Sequence, residues 1–215
     1  MPVAGLCLAA GGASRLGRPK QLLPWGEATL LQTCVRVLLR APLSCLTVVL
    51  GANAPAAAAS LEAFSADERF STVVNERWAE GMASSLVTGM RSLLDKEDPD
   101  EPYLGVMIAL GDMPLLEADL LTALIEELRR YGNTAIVAPV YEGRRGHPVL
   151  IGRAYWDELL RLGGDRGAAE VLRRHADKLH LLEGTAAVLT DIDTAEQWRA
   201  LRPQLKWEAE APAAE

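Results

Sequence analysis

The sequence predicts an α/β fold, a single domain built on a mostly parallel sheet with helices on both faces. Apolar runs of strand length alternate with helical stripes, and the runs are continuous, as in strands that are buried on both sides. The length agrees, because 215 residues, of which 49% are hydrophobic, suffice for one substantial core. Such sheets bind ligands outside the carboxyl ends of their strands. The strand ends are therefore where functional residues are expected.

The first half of the chain alternates regularly between strand and helix. The predicted strands are the apolar segments 3–10, 46–50, 72–74 and 104–110. The predicted helices are 29–40, 81–94 and 118–130, with apolar residues at helical spacing, and the alanine-rich 55–64. This repetition predicts parallel pairing of the strands.

Beyond residue 134 the alternation loosens. The predicted strands are 135–140, 148–151, 179–182 and 187–189, with a loop at 141–146. The predicted helices are 154–162, 167–175 and 194–201, the last with Thr194 as its N-cap. The acidic tail 203–215, rich in Ala, Pro and Glu from Lys206 onward, is predicted to be disordered. The domain is therefore assigned to residues 1–202.

Charge and cysteine content argue against several classes of protein. A net charge of −7 and a pI near 5.1 disfavour a general binder of nucleic acid or of membrane surfaces, which needs positive charge. No signal peptide or membrane span is evident in the sequence. Cys7, Cys34 and Cys45 lie in apolar patterns without C-x-x-C spacing, which predicts buried thiols. Together these features predict a cytoplasmic protein with no nucleic-acid or membrane partner.

The strongest functional signal follows the first predicted strand. Gly11, Gly12 and Gly17 lie within ten residues of one another together with the cations Arg15 and Lys20. Glycines allow consecutive backbone N–H groups to approach phosphate oxygens, and the cations add positive charge. The pattern predicts a phosphate-binding loop, and the alternative is an ordinary strand-to-helix turn with incidental basic residues.

Two common phosphate-binding loops do not match this segment. Gly12 and Gly17 have the spacing that begins G-x-x-x-x-G-K-[ST], but Arg18 takes the lysine position and Pro19 the hydroxyl position. No G-x-G-x-x-G is present. Neither a Walker-type ATPase nor a dinucleotide-dependent oxidoreductase is favoured.

Carboxylates near strand ends are candidate metal ligands. Asp112 follows the predicted strand 104–110, and Asp191 and Asp193 project to the same side of an extended segment. Mg²⁺ prefers a few carboxylate oxygens together with phosphate and water. Turn preference explains Asp112 equally well, and N-capping explains Asp191 or Asp193. Asp191 is slightly favoured over Asp193 as a ligand.

Polar groups also gather where the third predicted strand ends. Asn75 ends this strand, and Gly81, Ser84 and Ser85 open the following helix. Unpaired N–H groups and hydroxyls at such a place can contact a base or a ribose. Helix capping is the alternative for Ser84.

The segment Arg144-Arg145-Gly146-His147-Pro148 concentrates cations in an acidic chain. It predicts a second anion site, with Arg145 and His147 as the binding residues. The alternative is that His147 is a surface or core residue, as single histidines usually are.

The glycine loop resembles the signature L-A-A-G-x-S-x-R-x-G-x-x-K of nucleotidyltransferases related to the molybdenum cofactor guanylyl- and cytidylyltransferases. The matching residues are Leu8, Ala9, Ala10, Gly11, Ser14, Arg15, Gly17 and Lys20, with Gly12 and Ala13 both between Gly11 and Ser14, one residue more than the shortest form. Further motifs that match in order are W-x-x-G-M-x-S-S-L from Trp78, G-D-x-P from Gly111, G-H-P-V from Gly146, G-D-x-G-A from Gly164 and D-x-D-T from Asp191. Departures from the family pattern are Met113, Ala169, Ala195 and Gln197. The resemblance covers nearly the whole chain.

This resemblance implies a Rossmann-like fold of the nucleotide-diphospho-sugar transferase type. It implies Mg²⁺-dependent transfer of CMP from CTP to the phosphate of a molybdopterin acceptor, with release of pyrophosphate. The implied catalytic residues are Arg15, Lys20 and Asp112, and the implied metal ligands are Asp112, Asp191 and Asp193. The implied nucleotide-binding residues are Leu8, Ala10, Gly11, Gly12, Ser14, Asn75, Gly81, Ser84 and Ser85, and the implied acceptor-binding residues are Arg145 and His147. Ala10 favours cytidine, because the guanylyl-transferring relatives tend to have glycine there.

Three alternatives stay open at this point. The nucleotide could be GTP, or the acceptor could be a sugar phosphate or another alcohol phosphate. A chaperone that hands the cofactor to a client molybdoenzyme without chemistry would keep the glycine loop but could dispense with the carboxylates. The presence of Asp112 and Lys20 favours the enzyme.

Overall fold

A computed structural model of the chain describes residues 1–12, 19–164 and 167–203. The strands are β1 (Val3–Ala9), β2 (Pro24–Trp25), β3 (Ala28–Thr29), β4 (Cys45–Leu50), β5 (Phe70–Val74), β6 (Gly105–Leu110), β7 (Ile136–Tyr141), β8 (Arg144–Arg145), β9 (Val149–Gly152) and β10 (Leu179–Glu183). The α-helices are α1 (Leu30–Arg40), α2 (Ala54–Ser60), α3 (Met82–Leu94), α4 (Ala118–Tyr131), α5 (Trp156–Leu160), α6 (Ala169–Arg174) and α7 (Ala195–Leu201). Short 3₁₀ helices cover Lys20–Leu22, Glu62–Phe64, Trp78–Glu80, Arg153–Tyr155, Ala176–Lys178 and Ala186–Leu189.

The main sheet has the strand order β10-β7-β9-β6-β1-β4-β5, and β8 pairs with β7. Strands β6, β1, β4 and β5 are parallel, whereas β9 runs antiparallel to both of its neighbours. The chain proceeds from β1 to β4 and β5 and then returns to β6 on the other side of β1. Open α/β sheets bind ligands at such a reversal of strand order. Leu8 pairs with Leu110, so β1 and β6 end level with one another.

Side chains of β1 alternate between two hydrophobic cores. Cys7 belongs to the core under α1, α2 and α4, and Leu6 belongs to the core under α3, α5 and α6. Helices therefore cover both faces of the sheet, because each face of a buried strand needs its own apolar layer. The predicted α/β fold, mostly parallel with helices on both faces, is confirmed.

Helix α3 lies unusually close to β1. A Cβ atom at Gly89 would lie 2.3 Å from Leu6 Cδ1, so a larger residue would force this buried leucine to move. Met82, in the first turn of α3, lines the same cleft as Leu8 and Leu110 near the carboxyl ends of β1 and β6. This end of the sheet carries the candidate site.

The predicted strand at 187–189 is wrong. These residues lie in the 3₁₀ helix Ala186–Leu189, and Val188 packs with Met113 and Leu116. A three-residue apolar segment carries no periodicity that separates a strand from a helical turn.

Other boundaries also differ from the prediction. The predicted helix 55–64 is divided at Leu61, and the predicted helix 154–162 is a 3₁₀ turn followed by the shorter α5. The predicted loop 141–146 contains β8, and the hairpin of β2 and β3 was not predicted. Two-residue strands are too short to carry an alternating pattern.

The cysteines are free thiols in the structure, and Cys7 and Cys34 are buried, as predicted, while Cys45 is partly buried. Burial, with a smaller contribution from the charge of Asp112, raises the pKa of Cys7 to about 12. This thiol is therefore protonated at neutral pH and unreactive. Across the described ranges, every helix is too short or too polar to cross a lipid bilayer.

Candidate nucleotide and metal site

The glycine loop begins where β1 ends. Gly11 and Gly12 follow the strand and line the cleft described below. Ser14, Arg15 and Gly17 lie in the segment 13–18, outside the described residues. Their predicted roles toward phosphate stay predictions.

Gln21 fixes the start of this loop. Its Nε2 donates to the carbonyl oxygens of Ala9, at 2.7 Å, and Gly11, at 2.8 Å. Both partners are hydrogen-bond acceptors, so the side-chain amide of Gln21 must direct its NH₂ group toward them. The side chain is only 6% exposed. Sequence reasoning missed Gln21, because a glutamine beside a lysine forms no recognisable pattern.

The three predicted carboxylates come together at one edge of the sheet. One side-chain oxygen from each of Asp112, Asp191 and Asp193 lies within 4.8 Å of the others. The backbone N–H of Ile192 donates to the carbonyl of Asp112 at 3.0 Å, which aligns the two segments. Clustered carboxylate oxygens are the ligands that hard divalent cations prefer.

Lys20 lies inside this acidic cluster. Its Nζ is 2.7 Å from Asp112 Oδ2 and 2.5 Å from Asp193 Oδ1. Burial alone would lower the pKa of Lys20, but the charge of Asp112 and hydrogen bonds to both carboxylates outweigh it and raise the pKa. The side chain is therefore a permanent cation at neutral pH.

Two further observations indicate that the cluster is suited to bind a divalent cation. Asp112 Oδ1 is buried and has no hydrogen-bond partner among the described residues. Burial, followed by repulsion from Asp193 and Asp112, raises the pKa of Asp191. A bound cation would satisfy the first oxygen and relieve the repulsion.

A capping box at the start of α7 orients Asp193. Thr194 Oγ1 accepts from the N–H of Gln197, and Gln197 Oε1 accepts from the N–H groups of Asp193 and Thr194. Thr194 is thus the N-cap, as predicted. The carboxylate of Asp193 is not used for capping and contacts Lys20.

A cleft of about 520 Å³ lies over the end of the sheet beside the acidic cluster. It brings several predicted nucleotide-binding residues together with the three carboxylates. Its lining residues include Leu8, Ala10, Gly11, Gly12, Gly81 and Ser85, with Asp112, Asp191 and Asp193. Such a volume is in the range of ligand sites in proteins.

Asn75 and Ser84 lie behind the cleft wall. Asn75 is 2% exposed, and its Nδ2 donates to Ser84 Oγ at 2.8 Å and to Ser85 Oγ at 3.0 Å. Ser84 Oγ lies within hydrogen-bonding distance of the carbonyls of Arg77 and Gly81. Neither residue is among those that line the cleft, so both support the segment that carries Gly81 and Ser85.

Trp78, the first residue of the W-x-x-G-M-x-S-S-L motif, lies in the cleft but was not among the predicted nucleotide-binding residues. Its side chain is 38% exposed and lines the cleft. A Cβ at Gly12 would lie 3.2 Å from the indole, and one at Gly51 would lie 2.8 Å from Trp78 Cβ. The two glycines therefore make room for the indole at the rim of the phosphate loop.

Arg145 and His147 border a second, mostly apolar cavity of about 300 Å³. It shares Leu8, Met82 and Leu110 with the main cleft, so the two are neighbours. Burial lowers the pKa of His147, with the Asp112 charge opposing and the Arg145 charge reinforcing the change. His147 is thus a neutral imidazole at pH 7, and Arg145 supplies the positive charge.

Residues 5–179 match the model of the MobA-like NTP transferase domain. The chain belongs to this family. The resemblance inferred from the motifs is therefore confirmed at family level.

Two curated relatives resemble the chain over most of its length. Nicotine blue oxidoreductase of Paenarthrobacter nicotinovorans is 31% identical over 202 residues, which cover 91% of this chain and 94% of that protein. Molybdenum cofactor cytidylyltransferase of Escherichia coli K12 is 24% identical over 190 residues, 88% of this chain and 90% of that protein. The two relatives thus carry names that denote different activities.

Solved structures support the fold, and one of them was solved with manganese. An Rv0371c homologue from Mycobacterium sp. strain JC1 has a TM-score of 0.75 at 29% identity, covering 93% of this chain and 94% of that one. Rv0371c of Mycobacterium tuberculosis H37Rv in complex with manganese has a TM-score of 0.71 at 28% identity, covering 94% and 98%. A nucleotidyltransferase of Methanothermobacter thermautotrophicus, at 20% identity, has a TM-score of 0.75 and covers 94% and 96%.

Proposed function

We propose that the protein transfers CMP from CTP to the phosphate of a molybdopterin acceptor and releases pyrophosphate. The observation that carries this proposal is the contact of Lys20 with Asp112 and Asp193 beside the glycine loop. A strong cation, a carboxylate cluster and a loop without side chains are the groups that a metal-bound triphosphate requires.

The chemistry is in-line displacement at the α-phosphorus. The acceptor phosphate oxygen forms the new P–O bond, and the bond to the β-phosphate oxygen breaks as pyrophosphate leaves. A phosphate nucleophile is already an anion, so the protein needs no general base and must position the reactants and neutralise charge. Lys20 is proposed to stabilise the leaving pyrophosphate, and Arg15 is proposed to assist it.

Mg²⁺ is the proposed cofactor, with Asp112 and one or both of Asp191 and Asp193 as its ligands. When bound, the ion supplies Lewis-acid stabilisation of the phosphoryl oxygens. The E. coli cytidylyltransferase and the manganese complex of Rv0371c support a metal-dependent transferase.

The apolar cavity beside His147 is the proposed acceptor site. Its apolar walls can pack against the two faces of a pterin ring, and Arg145, His147 and the backbone of Gly146 are polar groups of the lining that its polar edge could use. Arg145 at the border can pair with the acceptor phosphate. Transfer to a sugar phosphate is the alternative.

Cytidine is the proposed base on two grounds. Ala10 lines the cleft where the guanylyl-transferring relatives tend to have glycine. The E. coli relative is named as a cytidylyltransferase. GTP is the alternative nucleotide.

A second candidate is an oxidoreductase, favoured by one observation. The chain is 31% identical to nicotine blue oxidoreductase but 24% identical to the cytidylyltransferase. Against this candidate, reduction of a dye makes no use of a three-carboxylate cluster.

The test measures pyrophosphate release with CTP, GTP, ATP or UTP, together with Mg²⁺ and molybdopterin. We expect release with CTP, and a loss of at least about 100-fold in Asp112→Asn, because the metal and the Lys20 partner are both affected. Asp157→Asn, at an exposed aspartate of α5, is the matched control and should leave release unchanged.

Release with GTP alone would overturn the base assignment and keep the mechanism. Absence of release with every nucleotide, together with oxidation or reduction of nicotine blue that persists in Asp112→Asn, would replace the transferase by the oxidoreductase.

A further inference from the structure

The Lys20 ammonium occupies part of the acidic cluster in this structure. Its Nζ contacts Asp112 Oδ2 and Asp193 Oδ1, two of the three carboxylates that can hold a metal. The Lys20 side chain is 16% exposed and that of Asp112 is 24% exposed, so water screens this contact only in part. The cluster is thus partly neutralised by a cation that belongs to the chain itself.

A divalent cation and this ammonium compete for the same oxygens. Both are positive, so within a few Å they also repel one another, and the repulsion is strong where water is partly excluded. The cluster as described is therefore a weak site for a divalent cation alone. If a divalent cation took a carboxylate from Lys20 and no other anion replaced it, the partly buried ammonium would have fewer partners. This loss would cost free energy.

A triphosphate changes this balance. The cleft that contains Asp112 and Asp193 also contains Gly11 and Gly12, and a smaller cavity beside it is lined by Lys20, Gly11, Gly12 and Asp112. Phosphate oxygens held at the glycines would be close to Lys20 and would give the ammonium a second set of partners. The carboxylates would then be available to a metal.

We propose that Lys20 acts as a tethered cation that occupies part of the metal site while no nucleotide is bound. It releases Asp112 and Asp193 when a nucleoside triphosphate binds together with its metal ion. The inference rests on the proposed function for the identity of the nucleotide. It adds an order of binding, in which the metal enters with the triphosphate and not before it.

The opposite role for Lys20 makes the opposite prediction. If the ammonium only held mutually repelling carboxylates together, its removal would separate them and weaken metal binding. The sign of the change therefore decides between the two roles.

The first measurement is the binding of Mn²⁺ alone to the full chain without nucleotide. The unbound ion is quantified by its paramagnetic resonance signal. Lys20→Met, which keeps the length of the side chain but not its charge, should bind Mn²⁺ about tenfold more tightly than the wild type. Lys20→Arg keeps the charge and should bind Mn²⁺ as the wild type does. Equal or weaker binding by Lys20→Met would falsify the proposal.

The second measurement repeats the titration with saturating CTP and no acceptor. Here the order should reverse, with Mn²⁺ bound about tenfold less tightly by Lys20→Met, because the ammonium no longer contacts the phosphates. Tighter or unchanged binding in the presence of CTP contradicts the exchange of partners. Thermal unfolding checks that the variant is folded, and Lys20→Gln replaces it if it is not.

The two proposals can fail separately. The titration without nucleotide requires neither CTP nor an acceptor. If CTP binds neither the wild type nor the variant, the proposed function fails, while the sign of the Mn²⁺ result still decides the role of Lys20 in the resting site.

Discussion

The backbone N–H of Ile192 donates to the carbonyl oxygen of Asp112 at 3.0 Å. This bond joins the end of β6 to the segment before α7, and the side chain of Ile192 is fully buried. The carboxylates on either side of Ile192 therefore project toward Asp112 from a fixed backbone. The metal ligands are positioned by the interior of the protein, and their geometry depends on contacts several residues away.

Thr194→Ala tests this dependence. Loss of the capping hydroxyl should lower the free energy of unfolding by about 1 kcal/mol and weaken Mn²⁺–CTP binding several-fold, because Asp193 precedes the cap. Thr29→Ala is a matched control, since Thr29 and Gln32 form the same capping box at α1. It should lose similar stability in chemical denaturation but keep the wild-type affinity. Equal affinity in both variants would mean that the cap does not position Asp193.

Gln21→Met tests the support of the glycine loop. The variant loses both hydrogen bonds to the carbonyls of Ala9 and Gly11, so we expect KM for CTP to rise about tenfold and stability to fall by about 1–2 kcal/mol. Gln32→Met is the control, because Gln32 Nε2 donates to the carbonyl of Ser60 away from the cleft. Steady-state kinetics should distinguish them, and an unchanged KM in Gln21→Met would exclude a role in nucleotide binding.

Asn75→Ala tests whether the buried side-chain amide stabilises the fold and does not contact the nucleotide directly. It leaves Ser84 and Ser85 without their donor and the N–H of Arg77 without its acceptor, and about 2–3 kcal/mol of stability should be lost. We expect a lower midpoint in urea, with saturating CTP recovering part of the loss. A wild-type midpoint with a raised KM would instead indicate that Asn75 contacts the nucleotide directly.

His147 predicts a pH dependence of stability. Burial lowers its pKa below the ordinary value of 6.5, so the unfolded chain binds this proton more readily than the folded chain. The stability of the folded state therefore falls as the pH decreases through 6.5 toward the folded-state pKa, by up to about 1.4 kcal/mol per pH unit.

The measurement is urea unfolding of the wild type and of His147→Asn between pH 7.5 and about pH 5.5. The variant should show the shallower decline, because asparagine does not titrate. Parallel declines in the two proteins would show that protonation of His147 does not control stability in this range.

Much of the fold could be predicted from the sequence because its signals are local. The continuous apolar run of β1 and the helical stripe of α1 follow from residues close in sequence. The antiparallel direction of β9 could not be predicted, because a short apolar segment such as Val149 to Gly152 fits a parallel and an antiparallel strand equally well. The strand predicted at 187–189 was wrong for the related reason that a short apolar segment fits either structure.

The candidate site was predictable in its residue types but not in its contacts. Asp112 and Asp193 were identifiable from their places near strand ends and from the family motifs. That Lys20 lies between them could not be predicted, because Lys20 and Asp193 are 173 residues apart and meet only in the folded chain. The roles of Gln21 and Trp78 likewise depend on backbone approaches that no local pattern encodes.

The indole N–H of Trp198 donates to the carbonyl of Pro24 at 2.8 Å, which fastens α7 to the hairpin that follows the glycine loop. Seen in the order of synthesis, the phosphate-binding loop leaves the ribosome first, and the segment with Asp191 and Asp193 leaves after every strand of the sheet. A growing chain can therefore complete its sheet while the acidic cluster still lacks two carboxylates. The metal site therefore cannot be complete before the segment with Asp191 and Asp193 is made and α7 docks against the part of the protein that was made first.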